Sequence, residues 1–367
     1  MSRVYLDHNA TTPLRPEARA AMIAAMEVVG NPSSVHAEGR AAKGVVETAR
    51  AQVAALVGCL TSQVIFTGSA TEAAALAVAQ KDRHGGVFAA LPTEHDCLNV
   101  WSEVDLPALH RADGTIGRLD VPGGQAALVA VSAANSETGI MMPDRCVVAS
   151  DGDRAVVCDI TQMAGKVPVL YPEGPKPAYM ILSGHKIGGP KGVGAFINFT
   201  RDDPRAILKG GGQEMGRRSG TENIVGIAGF GAAAEAAQRD VAAGNWARVE
   251  KLRNILEESL EAASEVTISV GKESPRLPNT ACLATPGWKG ETQVMQMDLA
   301  GFAVSAGSAC SSGKVRRSRV LEAMGYDDQT SGSAIRVSLG LETTEDDVAR
   351  FCDAWISKYQ RHRARAA

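Results

Sequence analysis

Ser183-Gly184-His185-Lys186 closes a short apolar run, 178–182, and opens a Gly-rich turn, Ile187-Gly188-Gly189-Pro190-Lys191-Gly192. A lysine at a strand end is partly desolvated, so its pKa falls, and the freed amine can hold a carbonyl cofactor as a Schiff base. A solvated lysine on a surface turn would have the same four residues, so the segment needs a partner. One lies upstream: Ala155-Val156-Val157-Cys158-Asp159 is a second apolar run, ending in a carboxylate and followed by Gln162. A pyridoxal phosphate (PLP) site needs this pair, a lysine for the Schiff base and an acid that keeps the pyridine nitrogen protonated so that the ring accepts electrons. With both groups at strand ends, the chain points to a PLP enzyme.

The chain as a whole permits this. Its 367 residues can bury a large core and divide into a major and a smaller domain. Apolar residues make up 45% and aromatics 4%, and the 38 glycines suit close-packed helix–sheet layers. A net charge of −3 argues against a general nucleic-acid binder. No apolar run reaches the roughly 18 residues of a membrane span, and the opening segment has no apolar core of a signal peptide. The seven cysteines are odd in number, scattered and without a CxxC pair. Neither a disulfide framework nor a zinc site is expected, and a cytoplasmic location is. Most of these cysteines are expected to be small core hydrophobes.

Around the two strands the chain alternates. Residues 18–29 and 41–57 are helical in pattern, the second Ala-rich with charges on one side. Strands are expected at 64–66, 87–90, 127–132, 156–159, 180–183 and 194–199, with a helical run at 73–80 opened by Gly68-Ser69-Ala70-Thr71-Glu72. This is the pattern of an α/β domain with a mainly parallel sheet, in which ligands bind beyond the carboxyl ends of the strands. Thr71, His95, Asn135, Asp159 and Lys186 all lie at or soon after such ends. A long helical stretch over 224–260 leads to a second region, where strands at 266–270 and 334–339 alternate with helices as in a smaller α+β domain. No internal repeat or low-complexity tract occurs.

The cofactor's phosphate needs backbone amides and hydroxyls. Gly68-Ser69-Ala70-Thr71-Glu72 supplies a helix N-terminus with free N–H groups and a positive dipole end, although an ordinary N-cap has the same residues. His95, in Thr93-Glu94-His95-Asp96, is either a loop histidine or a flat imidazole able to stack on a pyridine ring and move protons near neutral pH. Asn135 can bond a cofactor phenolate or a substrate carboxylate, or satisfy its own turn.

Taken in order, these positions resemble the class V aminotransferase-like PLP enzymes and, among them, the NifS/IscS-type cysteine desulfurases. Tyr5-Leu6-Asp7-His8-Asn9-Ala10-Thr11-Thr12-Pro13 looks like the family opening, and Gly30-Asn31-Pro32-Ser33-Ser34 with His36 like its next signature. Asn135-Ser136-Glu137-Thr138-Gly139 matches an Asn-x-Glu-x-Gly element, and Arg217-Arg218-Ser219-Gly220-Thr221 a segment whose Thr reaches the partner subunit's phosphate. The resemblance implies phosphate contacts from Ala70, Thr71, Ser183 and His185, and ring stacking by His95. It implies cofactor and substrate contacts from Asn135, an Asp159 partner for the pyridine nitrogen, a Gln162 partner for the ring oxygen, and a Schiff base on Lys186. It implies a homodimer through Thr221. The fold implied is α/β, of fold type I: a large PLP-binding domain over 14–241 with a mainly parallel, seven-stranded-type sheet flanked by helices, and a small α+β domain from 1–13 and 242–367.

Cys310 selects the reaction. Ser305-Ala306-Gly307-Ser308-Ala309-Cys310-Ser311-Ser312-Gly313 is a Gly/Ser-rich loop presenting one thiol, a setting unlike that of a buried structural cysteine. It matches the family's active-site loop, where a thiolate takes the substrate's sulfur as a persulfide. Arg336 stands inside an apolar strand, Ala334-Ile335-Arg336-Val337-Ser338. The resemblance gives it the substrate carboxylate; an internal salt bridge is the alternative. The implied activity converts L-cysteine to L-alanine and passes sulfur to a protein acceptor, such as an Fe–S scaffold or a sulfur relay protein. A selenocysteine lyase or another class V lyase would use the same cofactor site. A PLP-retaining assembly subunit would not need Lys186 and Cys310. Three features depart from the family pattern. The phosphate turn reads Gly68-Ser69 where Ser-Gly is common, and 81–128 is compressed. Lys314, Arg316, Arg317 and Arg319 make the stretch after the nucleophile unusually basic, to lower the thiol pKa, to dock an acidic carrier, or as a solvated face.

Overall fold

The computed structural model describes residues 3–112, 127–142, 154–169, 176–307 and 317–366. Twelve strands and ten α-helices lie among them. In the first half these are β1 (Val4–Tyr5), α1 (Pro16–Met26), α2 (Ala37–Val57), β2 (Val64–Thr67), α3 (Ala70–Val78), β3 (Val87–Ala90), α4 (Asp96–Asn99), β4 (Ala127–Ser132), β5 (Ala155–Asp159), β6 (Tyr179–Ser183) and β7 (Gly194–Asn198). The second half holds α5 (Ile224–Ala242), α6 (Trp246–Ala263), β8 (Ile268–Ser269), β9 (Thr280–Ala284), α7 (Gly290–Leu299), β10 (Phe302–Ala303), β11 (Ser305–Ala306), α8 (Arg319–Ala323), α9 (Asp328–Ser331), β12 (Ala334–Ser338) and α10 (Glu345–Ala366).

Six of the described strands form one sheet in the order β2-β7-β6-β5-β4-β3. The β3–β4, β4–β5 and β5–β6 pairs are parallel, while β7 pairs antiparallel with both β6 and β2. Five strands therefore point one way and β7 alone the other. The strands are apolar almost throughout because both faces are covered. Phe66, Val129, Val131, Cys158, Met180 and Leu182 pack with α1, α2 and α5 on one face. Their neighbours Ile65, Leu128, Ala130, Val157 and Ile181 pack with α3 and α4 on the other. The two-residue period of a strand divides each short segment between the two layers. Helix α5 packs closely on α2, since a Cβ on Gly231 would stand 2.5 Å from the Ala49 Cα.

The stretch expected to be helical over 224–260 is two helices. The chain leaves α5 at Ala243 and turns at Gly244, where φ is +71°, a conformation glycine adopts without strain. Helix α6 then packs against α10 and β9. A second sheet, β11-β12-β9-β8, is antiparallel throughout. Its core includes Leu252, Leu256, Leu283, Trp288, Ile335, Phe351 and Trp355.

The opening segment links the two sheets. Val4 pairs in parallel with Phe302, Asp7 bridges to Ser338, and the Thr12 amide donates to the His185 carbonyl at 3.0 Å. Residues 7–12 thus run from β12 to the turn after β6, which brings Asp7, His8 and Asn9 to the carboxyl edge of the large sheet. No helix among the described residues is long and apolar enough to cross a membrane.

Candidate active site

The turn after β6 is a single 3-10 turn, Gly184–Lys186, ahead of the connection to antiparallel β7. It presents the Lys186 amine to the opening segment, where Nζ donates to the Asn9 carbonyl at 2.6 Å and the Ala10 carbonyl at 2.9 Å. Burial lowers the Lys186 pKa to about 8, helped by the cationic Arg336 and opposed by Asp159 and Asp7. Near neutral pH a useful fraction of this amine is unprotonated, as a lysine nucleophile or base requires. Asp159 ends the neighbouring parallel strand, in register with Ile181, and is buried, its Oδ1 accepting from the Thr161 amide at 2.8 Å. The lysine and the acid therefore meet at adjacent strand ends.

The remaining candidates line the same edge. Ser69 caps α3, its hydroxyl accepting from the Glu72 amide at 3.2 Å. The Gly68-Ser69 order thus uses the hydroxyl inside the helix cap. The first-turn amides of Ala70 and Thr71 are left to be satisfied from outside the helix. Gly194 makes room for this turn, since a Cβ there would stand 2.7 Å from the Ser69 carbonyl carbon. Ser183 is buried at the end of β6, and His185 Nδ1 lies 3.1 Å from Thr11 Oγ1. Burial, with Lys186 and Lys191 nearby, lowers the His185 pKa to about 4, so its imidazole is neutral. Gln162 is buried and donates from Nε2 to the Asn9 carbonyl at 3.0 Å.

His95 is the exposed N-cap of the short helix α4, with Nδ1 accepting from the Cys97 amide at 3.2 Å. Asn135 serves its own turn, its Oδ1 accepting from the Glu137 and Thr138 amides at 2.9 Å each. Its Nδ2 donates to the Thr93 carbonyl at 2.9 Å, which ties the turn after β4 to the one that carries His95. Arg336 makes the ion pair weighed as its alternative: one guanidinium nitrogen donates to Asp7 Oδ1 at 2.8 Å and another to the Ser136 carbonyl at 3.1 Å. Its third nitrogen, Nε, is buried without a partner, so the fork retains a donor. Thr221 is exposed, beyond Gly220, and takes part in none of the hydrogen bonds described around Lys186. Cys310 lies outside the described residues, as do Cys146, Lys314 and Arg316. Five other cysteines are free thiols, and Cys97, Cys158, Cys282 and Cys352 are buried.

Several other residues shape this neighbourhood. Glu94 is fully buried, accepts from the Ser132 hydroxyl, and has its pKa pushed to about 8, chiefly by burial. Arg319 grips the His95 turn, donating to the Pro92 carbonyl, to the Glu94 carbonyl at 2.6 Å and to Asp96 Oδ1 at 3.0 Å. Arg317 pairs with Asp328 at 2.5 Å. These two cations of the basic stretch are therefore internal ties. Lys166, buried below Lys186, donates to the Gln162 carbonyl at 2.9 Å and to its side-chain Oε1 at 3.1 Å. The four-residue interval from Gln162 was the only sequence signal for it. His8, Lys166 and Lys186 share a cavity of about 690 Å³ that extends along Thr12 and Trp246.

The donor set suits PLP: an amine of lowered pKa, a buried carboxylate one strand away, open helix N-terminal amides and a buried amide donor. Among the described residues no cluster of side chains could hold a metal ion.

Comparison with known proteins gives the family. The model of the class-V aminotransferase family matches residues 4–351. The cysteine desulfurase of Cereibacter sphaeroides is 37% identical over 96% of this chain and 95% of its own length. That of Frankia sp. (strain EuIK1) is 39% identical over 95% of this chain and 90% of its own. The X-ray structure of a NifS-like protein from Rickettsia africae superposes with a TM-score of 0.86 at 29% identity, covering 98% of this chain and 99% of that one. With the lysine and acid on adjacent strand ends and the match running nearly end to end, this chain belongs to the class-V aminotransferase family.

Proposed function

We propose that this protein is a PLP-dependent cysteine desulfurase: L-cysteine and the Cys310 thiol become L-alanine and a Cys310 persulfide. The observation that carries the reading is the Lys186 amine, of lowered pKa, beside buried Asp159 on the next strand. When bound, PLP supplies the electron sink for cleavage of the substrate's C–H and C–S bonds. Asp159 would hold a proton on the pyridine nitrogen, and Gln162 would donate to the ring oxygen. Ala70, Thr71, Ser183 and His185 would hold the phosphate, together with Thr221 of the second subunit in a homodimer. His95 would cover the ring.

Arg336 receives the substrate carboxylate. Its buried Nε offers a donor, and the incoming anion competes with Asp7 for the rest of the fork. Asn135 stands beside it through Ser136, whose carbonyl Arg336 holds. Lys186, neutral in part at pH 7, takes the α-proton and returns one to the product carbon. The exposed His95 imidazole supplies or accepts the proton that moves as the substrate sulfur passes to Cys310. The sulfur travels as a neutral sulfane atom, so cysteine plus thiol balances alanine plus persulfide with no external oxidant.

On this reading residues 14–241 form the PLP-binding domain, and 1–13 with 242–367 the domain bearing the cysteine loop. The separate apolar cores around Val129 and around Trp355 support that division. The terminal acceptor is a protein of iron–sulfur assembly or a related sulfur relay, and the enzyme works in the cytoplasm. PLP-loaded protein given L-cysteine and a thiol reductant should release L-alanine and reducible sulfur in equal amounts, and Cys310→Ser should stop both. Turnover of selenocysteine but not of cysteine would move the protein to the selenocysteine lyases.

A further inference from the structure

Lys166 is buried, four residues beyond Gln162, and both of its described hydrogen bonds go to Gln162. The Gln162 amide is thereby read from both ends. Lys166 donates to its oxygen, Oε1, at 3.1 Å, while the Asn9 carbonyl accepts from its nitrogen, Nε2, at 3.0 Å. Reversing the amide would set Oε1 against a carbonyl oxygen, which cannot donate. The amide nitrogen has two hydrogens, and Asn9 takes one. The same Asn9 carbonyl accepts from Lys186 Nζ at 2.6 Å, so Lys166, Gln162, Asn9 and Lys186 form one continuous chain of hydrogen bonds.

We propose that Lys166 is a positioning residue: it fixes the Gln162 amide with its nitrogen forward, so that the second N–H is presented to the ring oxygen of PLP. This rests on the reading of the site as a PLP site. Without Lys166 the buried Oε1 would lose its donor, and the amide, tied only through its Asn9 bond, would no longer be held in place toward the ring oxygen. Burial lowers the Lys166 pKa to about 7, with Lys186 and Arg336 contributing. A donor whose charge burial disfavours can hold Oε1 without placing a full second cation beside Lys186.

The test uses the PLP-loaded protein and two readouts other than turnover: the dissociation constant for PLP, and the pH midpoint of the bound cofactor's visible absorbance. The groups bearing on that midpoint are Arg336, Asp159, Asp7 and Cys97 around Lys186, and His8, Lys186 and Arg336 around Lys166; none is altered. A donor to the ring oxygen favours its anion, so losing it raises the midpoint. Lys166→Met and Gln162→Ala should each raise the midpoint and weaken PLP binding by about tenfold, as for one hydrogen bond to a charged acceptor. In the double variant Lys166→Met should add nothing to Gln162→Ala, because it acts through that amide. An equal further shift in the double variant would overturn the proposal in favour of a direct charge effect on Lys186, and an unchanged midpoint and affinity in Lys166→Met would overturn it outright. If Lys166→Met does not fold, Lys166→Gln runs through the same cycle with the same criteria. Wild-type protein that takes up no PLP would refute the cofactor reading itself, a result separate from either outcome.

Discussion

Glu94 stands one residue before His95 with its carboxyl fully buried, and burial outweighs the Ser132 hydrogen bonds, so its pKa is pushed from 4.5 to about 8. A raised folded-state pKa means that the native protein holds this proton more tightly than the unfolded chain. The associated stability is therefore complete below pH 4.5 and is lost as pH rises through about 8. Between pH 6 and pH 9 the loss comes to about 2–3 kcal/mol. Other groups titrate in the same window. Glu137, raised to about 7, acts in the same direction, whereas Lys166 and Lys186, lowered to about 7 and about 8, add stability as pH rises. The wild-type curve alone is thus a sum of opposed terms. Glu94→Gln isolates one of them, because glutamine copies the protonated acid. Urea unfolding of the apoprotein should find the variant's advantage over wild type growing by about 2–3 kcal/mol between pH 6 and pH 9. Parallel curves across that range would refute a neutral buried Glu94. The result bears on the site, because a neutral Glu94 sets no second negative charge beside Asp159, the acid proposed to face the pyridine nitrogen.

Lys186→Ala should keep the fold by circular dichroism and lose the visible cofactor band that survives gel filtration of the wild type. Arg336→Met should leave that band in place and raise the KM for L-cysteine by roughly 10–100-fold, the loss of charge-assisted bonds to a carboxylate; an equal loss confined to kcat would place the carboxylate elsewhere. Arg319→Met removes three donors from the His95 turn and should cost about 1–3 kcal/mol of stability. It should slow persulfide formation as much with a small thiol reductant as with a protein acceptor, and a defect seen only with the acceptor, shrinking with salt, would restore Arg319 to a docking role.

Much of the large sheet was legible because its strands are short and apolar on both faces. Asp159 and Lys186 announce themselves as polar groups closing apolar runs, and strand direction then places them side by side. The break of 224–260 into α5 and α6 was harder to see, since Ala and charged residues run through it and one glycine among many marks the turn. The Gly68-Ser69 order left local amide geometry open in the sequence; the serine hydroxyl proves to cap α3, a role that only its extended backbone makes possible.

What the sequence withholds are partnerships between distant segments. Asp7 meets Arg336 across 329 residues, and Lys186 leans on carbonyls of Asn9 and Ala10 because β1 and β12 anchor the opening segment across the active-site edge. The basic stretch after Cys310 shows the consequence for function. Counted along the chain, Lys314, Arg316, Arg317 and Arg319 form a cationic patch fit for an acidic partner. Counted in space, Arg319 satisfies two carbonyls and Asp96, and Arg317 faces Asp328, so each already lies beside a compensating acid of the same chain. A charge held in that way steers a partner weakly, because its field at a distance is nearly cancelled. Arg319 therefore ties the start of α8 to the turn that presents His95, and its charge is spent on the fold rather than on a partner.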